Sequence, residues 1–295
     1  MNNLKNYGIL MIGVFAMSAS AIFVKLSSAP SAVTAFYRLF ITSCILLPCL
    51  LLSKKNMAEY KSLSTKQLGI ISLSGLFIAV HYVMWFESLR FTSVSSSTVL
   101  VSLQPLYSML FGYILLKEKV SKVGLFGYLM AICGVVVIAW GDFAISKEAF
   151  LGDILSLASA GVISGYFLIG QIVRKSISAV TYSVPCYFAS SFFLALYALS
   201  LGQPMFGFDA QTWWSFLGIA VVSTIGGQFI MNLLLKDLSA TAVTTGILGE
   251  PVGTIILAFF ILGEVISMRQ FAGIFLIMGG LGIYFFYPLL KKNAR

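Results

Sequence analysis

The chain has 295 residues, of which 59% are hydrophobic and only 10% charged, with a formal net charge of +9. A soluble domain carries roughly 25% charged residues to cover its surface, so a mean hydropathy of +0.97 excludes a water-facing globule. The basic excess sits in short loops between apolar runs, which argues against nucleic acid as a partner and for a lipid bilayer.

Apolar runs of about 20 residues, the length that crosses a hydrocarbon core of about 30 Å, recur along the chain. Breaks at Pro, Gly, charge and Asn/Asp clusters predict ten spans, at 6–26, 32–53, 68–90, 93–116, 122–141, 152–174, 180–200, 212–235, 241–263 and 268–289. The first has some features of a secretory signal, with Lys5, an apolar run and "SASA" at 18–21. Tyr7 to Leu26 is nevertheless long enough to span, and it is read as span one, carrying Ser18 and Ser20. Span two holds Arg38 about six residues in, where it is expected to be structural and able to snorkel to the outer surface, with a substrate role as the alternative. Span three carries His81, the sole histidine, with Tyr82 beside it and Trp85 four residues on, hence on the same helix face. Span four holds Gln104-Pro105 and is followed by Glu118. Span six supplies Ser164, Gly165 and Tyr166. Gln228 and Asn232, again four apart, give span eight one polar face, and span nine holds Glu250-Pro251 with Glu264 after it. The four cysteines lie inside apolar segments with no CxxC or zinc spacing, so they are read as packing residues, and neither a metal nor another cofactor is expected. Trp140, Trp213 and Trp214 fall near the outer boundary and suit an interfacial belt.

Orientation follows from the 19 Lys and Arg residues. With the N-terminus inside, 14 lie on the cytoplasmic side and 4 outside, with Arg38 in the membrane, so both termini are expected in the cytoplasm. From Gln104 to Glu118 is 14 residues, and from Glu250 to Glu264 is also 14. At an offset of 146, Arg90 falls on Lys236, Ser93 on Ser239, Thr98 on Thr244 and Pro105 on Pro251. At the same offset Glu118 falls on Glu264, Gly127 on Gly273 and Gly134 on Gly280. The expected fold is therefore an all-α polytopic membrane protein of ten transmembrane helices. It would be built as two five-helix repeats, 1–146 and 147–295, the second inverted because five is odd.

The blocks "LLKEKVSKVGLFGYLMAICGVVVI" after Pro105 and "ILGEVISMRQFAGIFLIMGGLGIYF" after Pro251 resemble the two repeats of the EamA family in the drug/metabolite transporter superfamily. Lys25 ending span one, Arg38 in span two and Pro105 with Glu118 fit the same pattern, and the likeness covers essentially the whole chain. The resemblance implies ten helices around a central cavity that faces alternately in and out. It also implies export, or in some members uptake, of small metabolites such as amino acids. Where span one of many relatives has a Trp-Gly pair, this chain has Met17-Ser18.

Fourteen residues of helix rise about 21 Å, which puts Gln104 and Glu250 near the bilayer centre. Each following proline removes a backbone hydrogen bond and marks a kink facing protein or a cavity. Glu250 is the one acidic residue placed near the centre: either a coupling site or partner for a substrate ammonium, or a protonated carboxyl bonded to freed carbonyls. His81, Tyr82, Trp85, Gln228 and Asn232 are expected as walls of a midplane pocket, although His81 has the alternative of an ordinary interhelical hydrogen bond. Ser18, Gln104 and Tyr166 complete the candidate substrate or coupling residues. Glu118 and Glu264, at span ends, suit ion pairing or gating at the two mouths.

No GxxxxGK[ST], GxSxG or HExxH occurs, so neither an ATP-driven pump nor a motif-bearing hydrolase is expected. The reading is a carrier of a small organic metabolite in the cytoplasmic membrane, coupled to a proton or another ion, as monomer or homodimer. Uptake by the same fold and an intramembrane enzyme built on a serine with His81 stand as alternatives.

Overall fold

Backbone inside a bilayer has no water to pair with, so each span must satisfy its own N–H and C=O groups, and these apolar runs do so as helices. The computed structural model describes residues 2–88, 91–92, 97, 100–118, 121–139, 147–262 and 268–293, and among the described residues every regular element is helical. In chain order these are α1 (Asn2–Leu26), α2 (Ser31–Leu51), α3 (Lys54–Lys61), α4 (Thr65–Ser88), α5 (Gln104–Leu116), α6 (Lys122–Ala139), α7 (Lys147–Val173) and α8 (Ala179–Ser200). Next, α9 (Ala210–Gly218) runs through a π-helical stretch (Ile219–Phe229) into α10 (Ile230–Leu234), followed by α11 (Ala240–Ile247), α12 (Glu250–Leu262) and α13 (Met268–Asn293). Side chains cap the helix starts. Ser178 accepts from the Thr181 N–H at 3.2 Å, Ser239 from Ala242 at 3.1 Å and Asp209 from Thr212 at 2.9 Å.

Among the described residues, seven stretches are long and apolar enough to cross a membrane: Leu4–Val24, Ser31–Leu51, Thr65–Ser88, Glu148–Val173, Ala179–Ser200, Ala210–Leu234 and Ala240–Ile261. Lys122–Val137 and Phe271–Phe285 are shorter apolar helices. Expected span nine corresponds to the stretch Ala240–Ile261, broken before the predicted Glu250-Pro251 pair into α11 and α12. Of expected span four the described residues include α5, while 93–96, 98 and 99 lie outside them. Arg90, Ser93, Thr98, Lys119, Trp140 and Glu264 lie outside the described residues.

The distribution of polarity is the reverse of a soluble core. Ile12, Tyr113, Phe260 and Phe275 are exposed on the outside, while Arg38, Gln104, Gln171, Gln228 and Asn232 are buried within. Only an apolar solvent around the protein makes that arrangement favourable.

Packing partners recur under a shift of 146 residues. Helix α1 lies against the π-helical stretch and α12, and α7 lies against α4 and α5. Helices α6 and α13 pack along each other through glycine. A Cβ on Gly127 would lie 2.6 Å from the Gly280 carbonyl oxygen, and one on Gly134 would lie 2.7 Å from that of Gly273. The pairs are crossed: adding 146 to Gly127 gives Gly273, yet Gly127 meets Gly280, while Gly134 meets Gly273. Crossed pairing between antiparallel helices is what a two-fold axis perpendicular to both would produce.

Candidate functional site

The two proline pairs break their helices in the same way. Leu103 and Leu106 donate to the carbonyls of Leu100 and Leu103 at 3.2 and 2.9 Å, and Gly249 and Val252 donate to Gly246 and Gly249 at 2.9 and 3.1 Å. Each is a tight i to i−3 turn, and each is followed by a helix whose first residue is Gln104 or Glu250 and whose second is proline. A serine from the opposite half then reaches each break. The Ser18 hydroxyl is 2.9 Å from the Glu250 carbonyl and 3.0 Å from that of Val14. The Ser164 hydroxyl is 2.6 Å from the Gln104 carbonyl and 2.7 Å from that of Ala160. Shifted by 146, Ser18 is Ser164, Val14 is Ala160 and Gln104 is Glu250, so these contacts are crossed as the glycines are.

Next to this frame lies a charged centre. Arg38 does not snorkel, contrary to the expectation from its depth in α2: it is 6% exposed and held inside the bundle. Its Nε donates to the Thr224 hydroxyl at 2.9 Å, its Nη1 to Ser20 at 3.1 Å, and its guanidinium lies 5.1 Å over the Tyr82 ring. Thr224 is oriented by the π-helical stretch, where its hydroxyl donates to the Ile219 carbonyl at 2.9 Å. Glu250 lies within electrostatic reach of Arg38 and Tyr82 and is largely buried. His81 stacks on Trp85 at 5.9 Å, and its Nδ1 donates to the Ser159 carbonyl at 3.1 Å. The interhelical bond is thus present, joining α4 to α7. Trp85 Nε1 and Gln228 Nε2 are buried without a hydrogen-bond partner among the described residues.

Asn232 gathers a second polar group. Its Oδ1 accepts from the Tyr166 hydroxyl at 2.8 Å, and its Nδ2 donates to Ser183 at 2.9 Å and Tyr187 at 3.0 Å. Gln228 lies against the same Tyr166. Thus Tyr82 and Trp85 neighbour Arg38 and His81, whereas Asn232 and Tyr166 are joined in a network that is already satisfied. Ser18 and Gln104 meet the breaks through backbone.

At the end of the bundle near Glu118, Gln171 bridges two elements. Its Nε2 donates to the Glu118 carboxylate at 2.5 Å, and its Oε1 accepts from the Ala240 N–H at 2.6 Å. The Thr241 hydroxyl adds 3.2 Å to the same carboxylate. Glu118 therefore bonds across helices rather than to its sequence neighbour Lys117. Thr224 and Gln171 are absent from the sequence-predicted set, and Arg38 is expected there to be structural, with a substrate role as the alternative. An arginine inside an apolar run was the visible signal for Arg38, while the other two look like ordinary polar residues in their spans.

Comparison with known proteins agrees with this architecture. A "Probable amino-acid metabolite efflux pump" of Salmonella typhimurium is 29% identical over 208 residues, covering 68% of this chain and 70% of that protein. An "Uncharacterized transporter" of Archaeoglobus fulgidus is 24% identical over 269 residues, 89% of this chain and 91% of the relative. One solved crystal structure superposes over 99% of both chains with a TM-score of 0.80 at 17% identity, a likeness of fold. The sequence pattern of one transporter family matches twice, over 5–140 and 150–286, and the chain belongs to that family, the EamA-like transporter family.

Proposed function

We propose that the protein is a secondary carrier of ten spans, in two inverted five-helix repeats at 1–146 and 147–295, that exports a small amino-acid-like metabolite by alternating access. The observation that carries this reading is the crossed pair of serine bonds, Ser18 to Glu250 and Ser164 to Gln104. A pseudo-two-fold of that kind gives two frames of similar energy, one open to each side, which rocking between halves requires. The scaffold is symmetric but the charge is not: one break carries neutral Gln104, the other titratable Glu250. That asymmetry assigns coupling, to a proton in the first instance, to Glu250. The name of the Salmonella relative supports the amino-acid class and the outward direction. The excess of basic residues on one side supports both termini in the cytoplasm of a cytoplasmic-membrane protein, working as monomer or homodimer.

Reconstitution in liposomes tests the reading. A carrier gives saturable flux and counterflow, and Glu250→Gln lowers proton-driven flux at least tenfold and removes its pH dependence. Flux unchanged in rate and pH dependence by that substitution removes Glu250 from coupling.

A further inference from the structure

We infer that Arg38 is the substrate-carboxylate site, and that with Glu250 it selects a zwitterion carrying both a carboxylate and an ammonium group. This rests on the carrier reading above and adds to it the residues that recognise the two charged groups of such a metabolite.

An arginine cannot discharge itself by losing its proton, so a buried one keeps its full charge. Burial of such a charge is costly without a partner. Arg38 has only neutral partners among the described residues: two hydroxyls and the face of Tyr82. Ser20 and Thr224 take Nη1 and Nε, while Nη2 makes no hydrogen bond among the described residues. Two hydroxyls and a ring hold the guanidinium still without neutralising it, which suits a site whose counter-ion comes and goes. A carboxylate meets a guanidinium edge with two parallel hydrogen bonds.

Two further observations point the same way. Trp85 Nε1, on the ring stacked against His81 next to Tyr82, is a buried donor without a hydrogen-bond partner among the described residues, so it calls for a ligand with acceptor atoms. Glu250 supplies a carboxyl group that carries the opposite charge when ionised, within electrostatic reach of Arg38 and Tyr82 but without an ion-pair contact to Arg38 among the described residues. By helix rise, Arg38 lies about 10 Å from the start of α2 and Glu250 about 15 Å from the start of α11. With those starts on opposite faces of a core of about 30 Å, the two charges sit within a few Å of the same depth. A molecule with an anionic and a cationic group a few atoms apart answers both charges. A simple amine leaves Arg38 unmet, and a simple carboxylic acid leaves Glu250 unmet.

The test is counterflow in liposomes with a panel of radiolabelled L-amino acids, each matched with the amine lacking its carboxylate and the acid lacking its amino group. The wild type is expected to exchange one or more amino acids and to discriminate at least tenfold against both matched analogues. Arg38→Gln, checked for an unchanged elution profile, is expected to raise KM at least tenfold with a smaller change in kcat, and Arg38→Lys to recover part of the loss. Amines exchanged as well as amino acids by the wild type, or an unchanged KM in Arg38→Gln, overturns the assignment while leaving the carrier intact. Absence of saturable exchange for the whole panel overturns this inference, and absence of counterflow with any other metabolite besides overturns the carrier reading too.

Discussion

Asn232 spends both side-chain donors and one acceptor inside the bundle, on Ser183, Tyr187 and Tyr166. Replacing it by Leu keeps the volume but leaves three buried groups short of a partner, each worth about 1–3 kcal/mol before relaxation. Asn232→Leu should destabilise the protein by roughly 3 kcal/mol, seen as a clear drop in the thermal midpoint in detergent. Ser164→Ala removes one hydroxyl shared between the Gln104 and Ala160 carbonyls and should cost about 1 kcal/mol. At this scale the sequence was legible through spacing: four residues apart put His81 with Trp85, and they are stacked. It was not legible for Arg38, because its partner Thr224 lies 186 residues away in the chain. Depth in a span says how far a charge must reach to water, but not whether another helix stands in the way.

Helices α6 and α13 approach closely because glycines meet backbone. A Cβ on Gly134 would also lie 2.8 Å from the Ile277 backbone nitrogen, and backbone on both helices cannot rotate away. Gly134→Ala should therefore cost about 2 kcal/mol through forced separation, whereas Gly8→Ala, with nothing within 4 Å, should be neutral or slightly stabilising. Thermal midpoints of the two variants in one detergent separate the cases. Helix α3 docks on the start of α8 through Glu59, whose carboxylate accepts from the Ser178 N–H at 2.8 Å and the Thr181 hydroxyl at 3.0 Å. Partial burial pushes this carboxyl up, but the Ser178 and Thr181 bonds and nearby Lys55 outweigh it and hold it below the usual value. A folded-state value below the unfolded one means the contribution is complete above the ordinary carboxylate range and is lost as pH falls through the lowered value. Glu59→Gln should thus lower the thermal midpoint at pH 7, with the difference from wild type shrinking below about pH 4. Prolines announced the two helix breaks, but nothing in Ile219–Phe229 announced a π-helix, since hydrogen-bond register depends on what neighbouring helices demand.

For the whole molecule, the proposed alternating access requires that contacts at one mouth form while those at the other part. In this structure Gln171 ties the end of α5 to the start of α11 through Glu118 and Ala240. Cysteines at 118 and 171 in a background free of Cys44, Cys49, Cys133 and Cys186, joined by a short bifunctional thiol reagent, should cut flux at least tenfold, and a cleavable reagent should restore it on reduction. Unchanged flux after complete cross-linking would mean that this mouth stays shut throughout the cycle. The sequence by itself determined that the chain is a helical membrane protein, and in the 146-residue offset it carried the correspondence between halves. Both are local or periodic properties: hydropathy over about 20 residues answers to the thickness of the bilayer, and a repeat is visible wherever its residues align. Tertiary structure alone decided that the corresponding residues meet crosswise, Ser18 on Glu250 and Gly127 on Gly280, and that Arg38 is enclosed with Tyr82 and Thr224. Those contacts join helices from different parts of the chain, and only packing chooses which faces meet.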